Sequence, residues 1–305
     1  MGGRCTIVGM RLGLALPQFG PFADPALIPL VAAEAEALGF ESLWAGERVH
    51  APTAPLTPYP SADGRMPELF RRGLDPLLVL TAAATATGRA RLGTSTLNAP
   101  LHPPIQLARQ LAGLDRLSNG RVIAGLGLSW SRDEYDAVGV PWRERGARLD
   151  ETLDVLEHLF GPDPVEHRGR FWTISPGDFQ PKPVQPRLPI YLGGVSPAAL
   201  RRIGRRADGW LGVPLPPDRL RATLGTLADQ ARQAGRSPVA TALRLNPRIQ
   251  DERTDLPDVG PVDQLAEYLG RAAELGVADA FVDLQFTARS TEELLELAGR
   301  IREAV

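Results

Sequence analysis

ARLGTSTLNAPLHPP, residues 90–104, opens like a buried strand, crowds small and hydroxylated residues at its far end, and closes on two prolines. In the segment that follows, Ile105, Ala108, Leu111, Ala112 and Leu114 recur at helical spacing, and the run stops at the turn signal SNG. The stretch is therefore one strand–loop–helix unit with its polar residues gathered at the C-terminal end of the strand.

The same unit recurs along the chain. Strand-like runs at 11–16, 42–45, 91–96, 122–127, 189–194, 209–213, 241–247 and 280–285 alternate with helical periodicity at 24–38, 75–87, 103–117, 143–160, 196–206, 217–234, 261–275 and 290–304. Asp24 is placed to cap the first helix, with Pro25 in its first turn. Eight strand–helix units in 305 residues predict an α/β fold of the (β/α)8 TIM-barrel type. A doubly wound sheet usually has fewer strands and often a glycine-rich fingerprint in its first turn, which here reads PQFGPFADP. Residues 10–305 are expected to form one barrel domain, and 1–9 a disordered N-terminal extension. Two segments rich in proline and glycine, 48–75 and 161–189, are too long for tight connections and are expected as loop insertions at the C-terminal face.

In a barrel the C-terminal strand ends line the active face, so the polarity of Ser95, Thr96 and Asn98 would serve a ligand. The competing reading is that they satisfy local backbone groups where a strand stops. At YLGGVSPAALRR (191–202), Gly193 and Gly194 end a strand, and Val195, Ser196 and Pro197 open a helix whose free N–H groups can take an anion. A plain tight turn is the alternative there, and Arg201 and Arg202 read as solvated. The carboxylates of SRDEYD (131–136) and ERGARLDETLDVLEH (144–158) follow helical spacing and are expected on solvated faces.

Composition narrows the function further. A net charge of −2 without basic blocks argues against nucleic acid. No apolar run approaches the ~20 residues that span a bilayer, and the single cysteine, Cys5, fits a cytoplasmic protein. The four histidines show no metal-ligand spacing, so no metal is expected, and neither GxSxG nor GxxxxGK occurs.

The stretches LGLALPQFG, EAEALGFESLWAGERV, the run from DPLLVL to LHPP, LARQLAGLDRLSNGRVIAGLGLSWSRDEYDAVGV and LPIYLGGVSPAALRRIGRRADGW resemble, in order, the luciferase-like flavin- or deazaflavin-dependent oxidoreductases. The resemblance is nearest to the branch that uses coenzyme F420. It implies a cis peptide between Ser95 and Thr96 bulging against the cofactor ring, with Asn98 as a polar ring contact. It also implies Trp44, Gly127, Leu128, Ser129 and Trp130 beside the cofactor, and Gly193, Gly194, Val195 and Ser196 around its phosphate.

One site departs from the family. Many deazaflavin enzymes have Trp, two residues, then Asp and His; WAGERVH places Glu47 and Arg48 there, with His50 two residues on. Glu47 is then the expected hydrogen-bond acceptor, Arg48 the stabiliser of developing negative charge, and His50 the proton relay. The competing reading is a surface salt bridge with His50 exposed, while His102 is expected to organise its loop. The implied function is hydride transfer between F420 and a small organic substrate held under the two long loops. An FMN-dependent luciferase-like monooxygenase and a non-catalytic, flavin-binding or degenerate barrel subunit are the alternatives. The resemblance further implies a homodimer.

Overall fold

The computed structural model describes residues 9–61 and 63–305; the expected extension, apart from Gly9, and Cys5 lie outside the described residues. Eight parallel strands form the barrel: Arg11–Ala15, Ser42–Ala45, Arg91–Thr94, Val122–Gly127, Ile190–Gly193, Gly209–Gly212, Ala240–Leu245 and Asp279–Val282. Each pairs with the next in sequence, and the eighth pairs back on the first at Asp279 and Arg11, which closes the ring. Every expected strand is present. The third stops two residues early, at a cis Ser95–Thr96 peptide, and the chain then pairs again with the fourth strand through Leu97 and Asn98.

The surrounding helices are α1 (Leu27–Ala37), α2 (Pro76–Ala86), α3 (Pro104–Leu117), α4 (Arg132–Ala137), α5 (Arg145–Phe160), α6 (Pro197–Arg206), α7 (Pro217–Gln233), α8 (Val262–Glu274) and α9 (Thr291–Ala304). The periodic apolar faces are what they bury: Leu107, Leu111 and Leu114 of α3 all face the sheet side of the core. Asp24 accepts a hydrogen bond from the Ala26 N–H at 3.0 Å, so it caps a turn ahead of α1 rather than the helix itself. Among the described residues no helix is long and apolar enough to cross a membrane.

Side chains fill the barrel interior. Trp44 stacks on Phe281 with centroids 4.4 Å apart and planes 10° from parallel, and Ile123, Tyr191, Leu211 and Ala242 pack around the pair. Trp44 is 1 % exposed and its indole N–H donates to Ser42 Oγ at 2.8 Å, so it is a core residue and not the expected cofactor contact. The reason is strand alternation: Ser42 and Trp44 share the inward face, one layer beneath the mouth. Further down, Asp279 accepts two hydrogen bonds from Arg11, each 2.8 Å, and pairs with Arg91.

The two long insertions lie at opposite ends. Segment 48–75 covers the mouth, where Phe70 meets Phe19 edge-on at 4.9 Å and Tyr59 meets Trp130 at 5.2 Å. Segment 161–189 forms an antiparallel hairpin, Val165–Arg168 with Thr173–Gly177, held by Glu151 of α5 through the N–H groups of Arg170, Phe171 and Trp172. It then passes the bottom of the barrel, where Asp115 accepts from the Val184 and Gln185 N–H groups and Gln185 donates to the Val122 carbonyl at 2.9 Å. The expectation of both insertions on the C-terminal face is thereby corrected for this one. A connection that follows a helix enters the next strand from its N-terminal end.

Candidate active site

Two adjoining cavities open at the C-terminal face. The larger, about 590 Å³, lies between the Ser95–Thr96 peptide, Gly127 to Trp130, and Gly193 to Ser196. The smaller, about 230 Å³, is bounded by Glu47, Arg48, Tyr59, Phe70 and Asn98. Ser95, Thr96, Leu128, Ser129, Trp130 and Arg244 border both. The polar strand end at 94–98 is thus the partition between two compartments.

Local backbone demands shape the larger cavity. A β-carbon at Gly127 would stand 2.6 Å from Thr96 Oγ1, so only glycine keeps that wall open. Gly194 adopts φ +128°, which turns the chain from the fifth strand into α6. Ser196 caps α6 by accepting from the Ala199 N–H at 3.2 Å, and Pro197 occupies the first turn. Arg145 and Arg202 also border the cavity. Arg202, expected in solvent, is half-buried and donates to Asp150 at 2.5 and 3.0 Å. A capped helix N-terminus opening onto a cavity that two guanidinium groups also border suits an anion. The buried Trp130 indole N–H has no partner among the described residues, which leaves a donor for a bound group. These features fit a flat ring carrying a phosphate.

The smaller cavity is built from paired charges. Glu47 Oε2 accepts from the Asn98 N–H at 2.6 Å, and Oε1 lies 2.6 Å from His102 Nε2. Burial disfavours the charged imidazole, but the hydrogen bond and charge of Glu47, with Asp75, outweigh it and raise the His102 pKa above its usual value. Arg48 donates to Glu134 at 2.9 Å, and its guanidinium lies 5.4 Å from the Phe70 ring centre and 5.1 Å from that of Trp130.

Glu134 corrects the expectation of solvated carboxylates in this region. It is fully buried, accepts from the Val49 N–H at 2.9 Å and the His50 N–H at 3.3 Å, and is bonded by the Ser129 hydroxyl. Glu151, 8 % exposed under the hairpin, is the second such correction. His50 is exposed, engages Glu134 only through its backbone, and borders neither cavity. Ser129 borders both cavities, but its hydroxyl is committed to Glu134 and to the Ser131 N–H.

A further set of site residues escaped the sequence reading. Gln18 exchanges two hydrogen bonds of 2.6 Å with the backbone of Gly46, and its own N–H donates to Gln285 Oε1 at 2.7 Å. Gln285 Nε2 donates to Asp283 at 2.9 Å, Asp283 accepts from Arg244 at 2.7 Å, and Arg244 donates to the Ser95 carbonyl at 2.7 Å. The signal for this chain was an arginine inside the aliphatic run TALRLNP, because a charge on a buried strand requires a partner.

A closed parallel barrel with a divided, cofactor-sized cavity and a buried carboxylate–imidazole pair at its mouth is the frame of a redox enzyme of the flavin or deazaflavin type. The luciferase-like monooxygenase family profile matches residues 15–279, and the chain belongs to that family, whose members are F420- or flavin-dependent oxidoreductases and monooxygenases. The uncharacterized protein Rv0953c of Mycobacterium tuberculosis is 34 % identical over 84 % of this chain and 87 % of its own. An F420-dependent glucose-6-phosphate dehydrogenase of Amycolatopsis mediterranei is 28 % identical over 71 % of this chain and 62 % of its own. Among solved structures, the FMN complex of the oxygenating constituent of a Pseudomonas putida 3,6-diketocamphane monooxygenase superposes with a TM-score of 0.77, covering 98 % of each chain at 15 % identity.

Proposed function

We propose that the protein is a coenzyme F420-dependent oxidoreductase that moves a hydride between the deazaflavin and a small organic substrate in the smaller cavity. The observation that carries this reading is the Glu47–His102 pair at a cavity separated from a ring-sized one only by the Ser95–Thr96 partition. The relatives named as F420-dependent glucose-6-phosphate dehydrogenases support the choice of cofactor.

When bound, the deazaflavin supplies or accepts the hydride. Ser95, Thr96, Gly127 and Leu128 seat the ring, Trp130 gives it a polar edge, and Gly193, Gly194, Val195 and Ser196 hold the phosphate at the start of α6; Asn98, expected as a ring contact, borders only the smaller cavity and faces the substrate instead. Glu47 takes the proton from a substrate hydroxyl, or returns it to a carbonyl, and His102 holds the carboxylate in place. Arg48 and Arg244, each neutralised by its own carboxylate, keep the pocket polar without leaving a bare charge. Segment 48–75 excludes water from above. Exposed Leu30, Leu78 and Ile105 on α1, α2 and α3 support a homodimer, and the single cysteine supports a cytoplasmic site of action.

Separate titrations with F420 and FMN test the reading. F420 is expected to bind at least about tenfold more tightly, a difference of about 1.4 kcal/mol. Tighter binding of FMN would make the protein a flavin enzyme, and binding of neither at millimolar concentration would make it a non-catalytic barrel.

A further inference from the structure

The two cavities differ in how they treat charge. Among the described residues, Arg48 and Arg244 are the only cations that border the smaller one. Arg48 donates to the fully buried Glu134 at 2.9 Å. Arg244 engages Asp283, Asn246 and the Ser95 carbonyl at 2.7, 3.1 and 2.7 Å. Glu47, the one carboxylate on that border, faces His102. Arg48 Nε has no partner among the described residues, which leaves a donor there but no net charge. Three cations thus meet three carboxylates, and the smaller cavity is balanced before any ligand enters. In the larger cavity Arg145 donates instead to the Trp142 carbonyl at 2.8 Å and has no carboxylate partner among the described residues.

A phosphate or carboxylate entering the smaller cavity would add negative charge beside Glu47, Glu134 and Asp283. To reach a guanidinium it would have to displace a buried carboxylate. Much of the remaining wall is aromatic: Phe70 meets Phe19 edge-on, and Tyr59 reaches Phe70 at 6.0 Å and Trp130 at 5.2 Å. A space of about 230 Å³ between such walls suits one ring with a short substituent.

We propose that the substrate is an uncharged, ring-bearing alcohol or the matching ketone, and that Glu134 and Asp283 set this preference by keeping Arg48 and Arg244 from an anion; the proposal rests on the hydride-transfer reading above. It sets the protein apart from the phosphorylated sugar in the name of its F420-dependent relatives. The carbinol C–H bond breaks with its electron pair going to the deazaflavin, the O–H proton passes to Glu47, and the carbon–oxygen bond becomes a carbonyl. The alcohol is oxidised and the deazaflavin reduced; the reverse run consumes the ketone.

The test offers the F420-loaded enzyme two alcohols of one shape, 4-hydroxycyclohexanecarboxamide and 4-hydroxycyclohexanecarboxylate, with glucose 6-phosphate beside them. Calorimetry measures binding of all three to the cofactor-free protein. The carboxamide is expected to exceed the carboxylate about hundredfold in kcat/KM, and by a similar factor in affinity, because the carboxylate brings a like charge beside buried ones. Glucose 6-phosphate should neither bind nor react. Asp283→Asn and Glu134→Gln each release one guanidinium, so in either variant the ratio should fall about tenfold. A ratio taken within one variant cancels any loss common to both alcohols. Equal use of the two alcohols by wild type overturns the proposal, as does a ratio that the folded variants leave unchanged, or a carboxamide that does not bind. Should the cofactor-free protein favour the carboxamide while F420 fails to bind, the cofactor reading falls and the neutral pocket stands.

Discussion

His102 Nε2 and Glu47 Oε1 lie 2.6 Å apart, joining the loop ahead of α3 to the end of the second strand. A carboxylate and an imidazole from two different loops thus meet at the mouth. Because the pair raises the His102 pKa, its proton is bound more tightly in the folded protein than in the unfolded chain. The resulting stabilisation is complete below the unfolded value of about 6.5 and is lost as pH rises through the raised folded value. His102→Gln is thus expected to cost about 1.5–3 kcal/mol near pH 6, with the deficit shrinking toward pH 9. Urea denaturation across that range measures it; a deficit that grows with pH would mean that the imidazole is neutral when folded.

Glu47→Gln keeps an acceptor for the Asn98 N–H but removes the basic carboxylate. Turnover should fall by about 10²- to 10⁴-fold, while F420 affinity stays within about threefold. Unchanged turnover would remove Glu47 from proton transfer.

Glu134 neutralises Arg48 where the two side chains are 0 % and 10 % exposed. Glu134→Ala leaves that guanidinium without its carboxylate and frees the N–H groups of Val49 and His50, so a loss of about 3–5 kcal/mol is expected in urea denaturation. The double change Arg48→Met/Glu134→Gln should recover part of it, since no bare charge remains. No recovery would place the loss in the loop rather than in the ion pair.

Gly194 is a poor place to probe the anion seat, because φ is +128° and a β-carbon would fall 2.8 Å from that of Ala199. Val195 is half exposed and borders the same cavity. Val195→Asp adds a negative charge there without a backbone demand, so cofactor affinity should drop about tenfold at an unchanged melting temperature. Wild-type affinity in the folded variant would move the phosphate elsewhere.

The barrel was legible because each strand is an aliphatic run bounded by turn residues and each helix repeats an apolar face. What escaped were relations across long sequence distances. Glu134 sits at helical spacing among other polar residues, and nothing local distinguishes it from Asp133; its partner Arg48 is 86 positions away. Trp44 was misread because both faces of a barrel strand are buried, so alternation alone does not say which side chain reaches the mouth and which plugs the interior. His50 looked suitable by residue type, but two positions past a strand end were enough to carry it outside. The residues at the third-strand end and the fifth-strand turn border the cavities because their positions follow directly from where strands stop.

The chain from Gly46 through Gln18, Gln285, Asp283 and Arg244 to the Ser95 carbonyl spans the first, second, third, seventh and eighth strands. It works as a caliper. The gap between Glu47, next to Gly46, and the Ser95–Thr96 peptide is set by side-chain lengths fixed within the rim, with Leu74, at the base of the overhead loop, bonded to Gln18. The part of the segment around Tyr59 and Phe70 can therefore be recut to admit a different molecule without changing that distance.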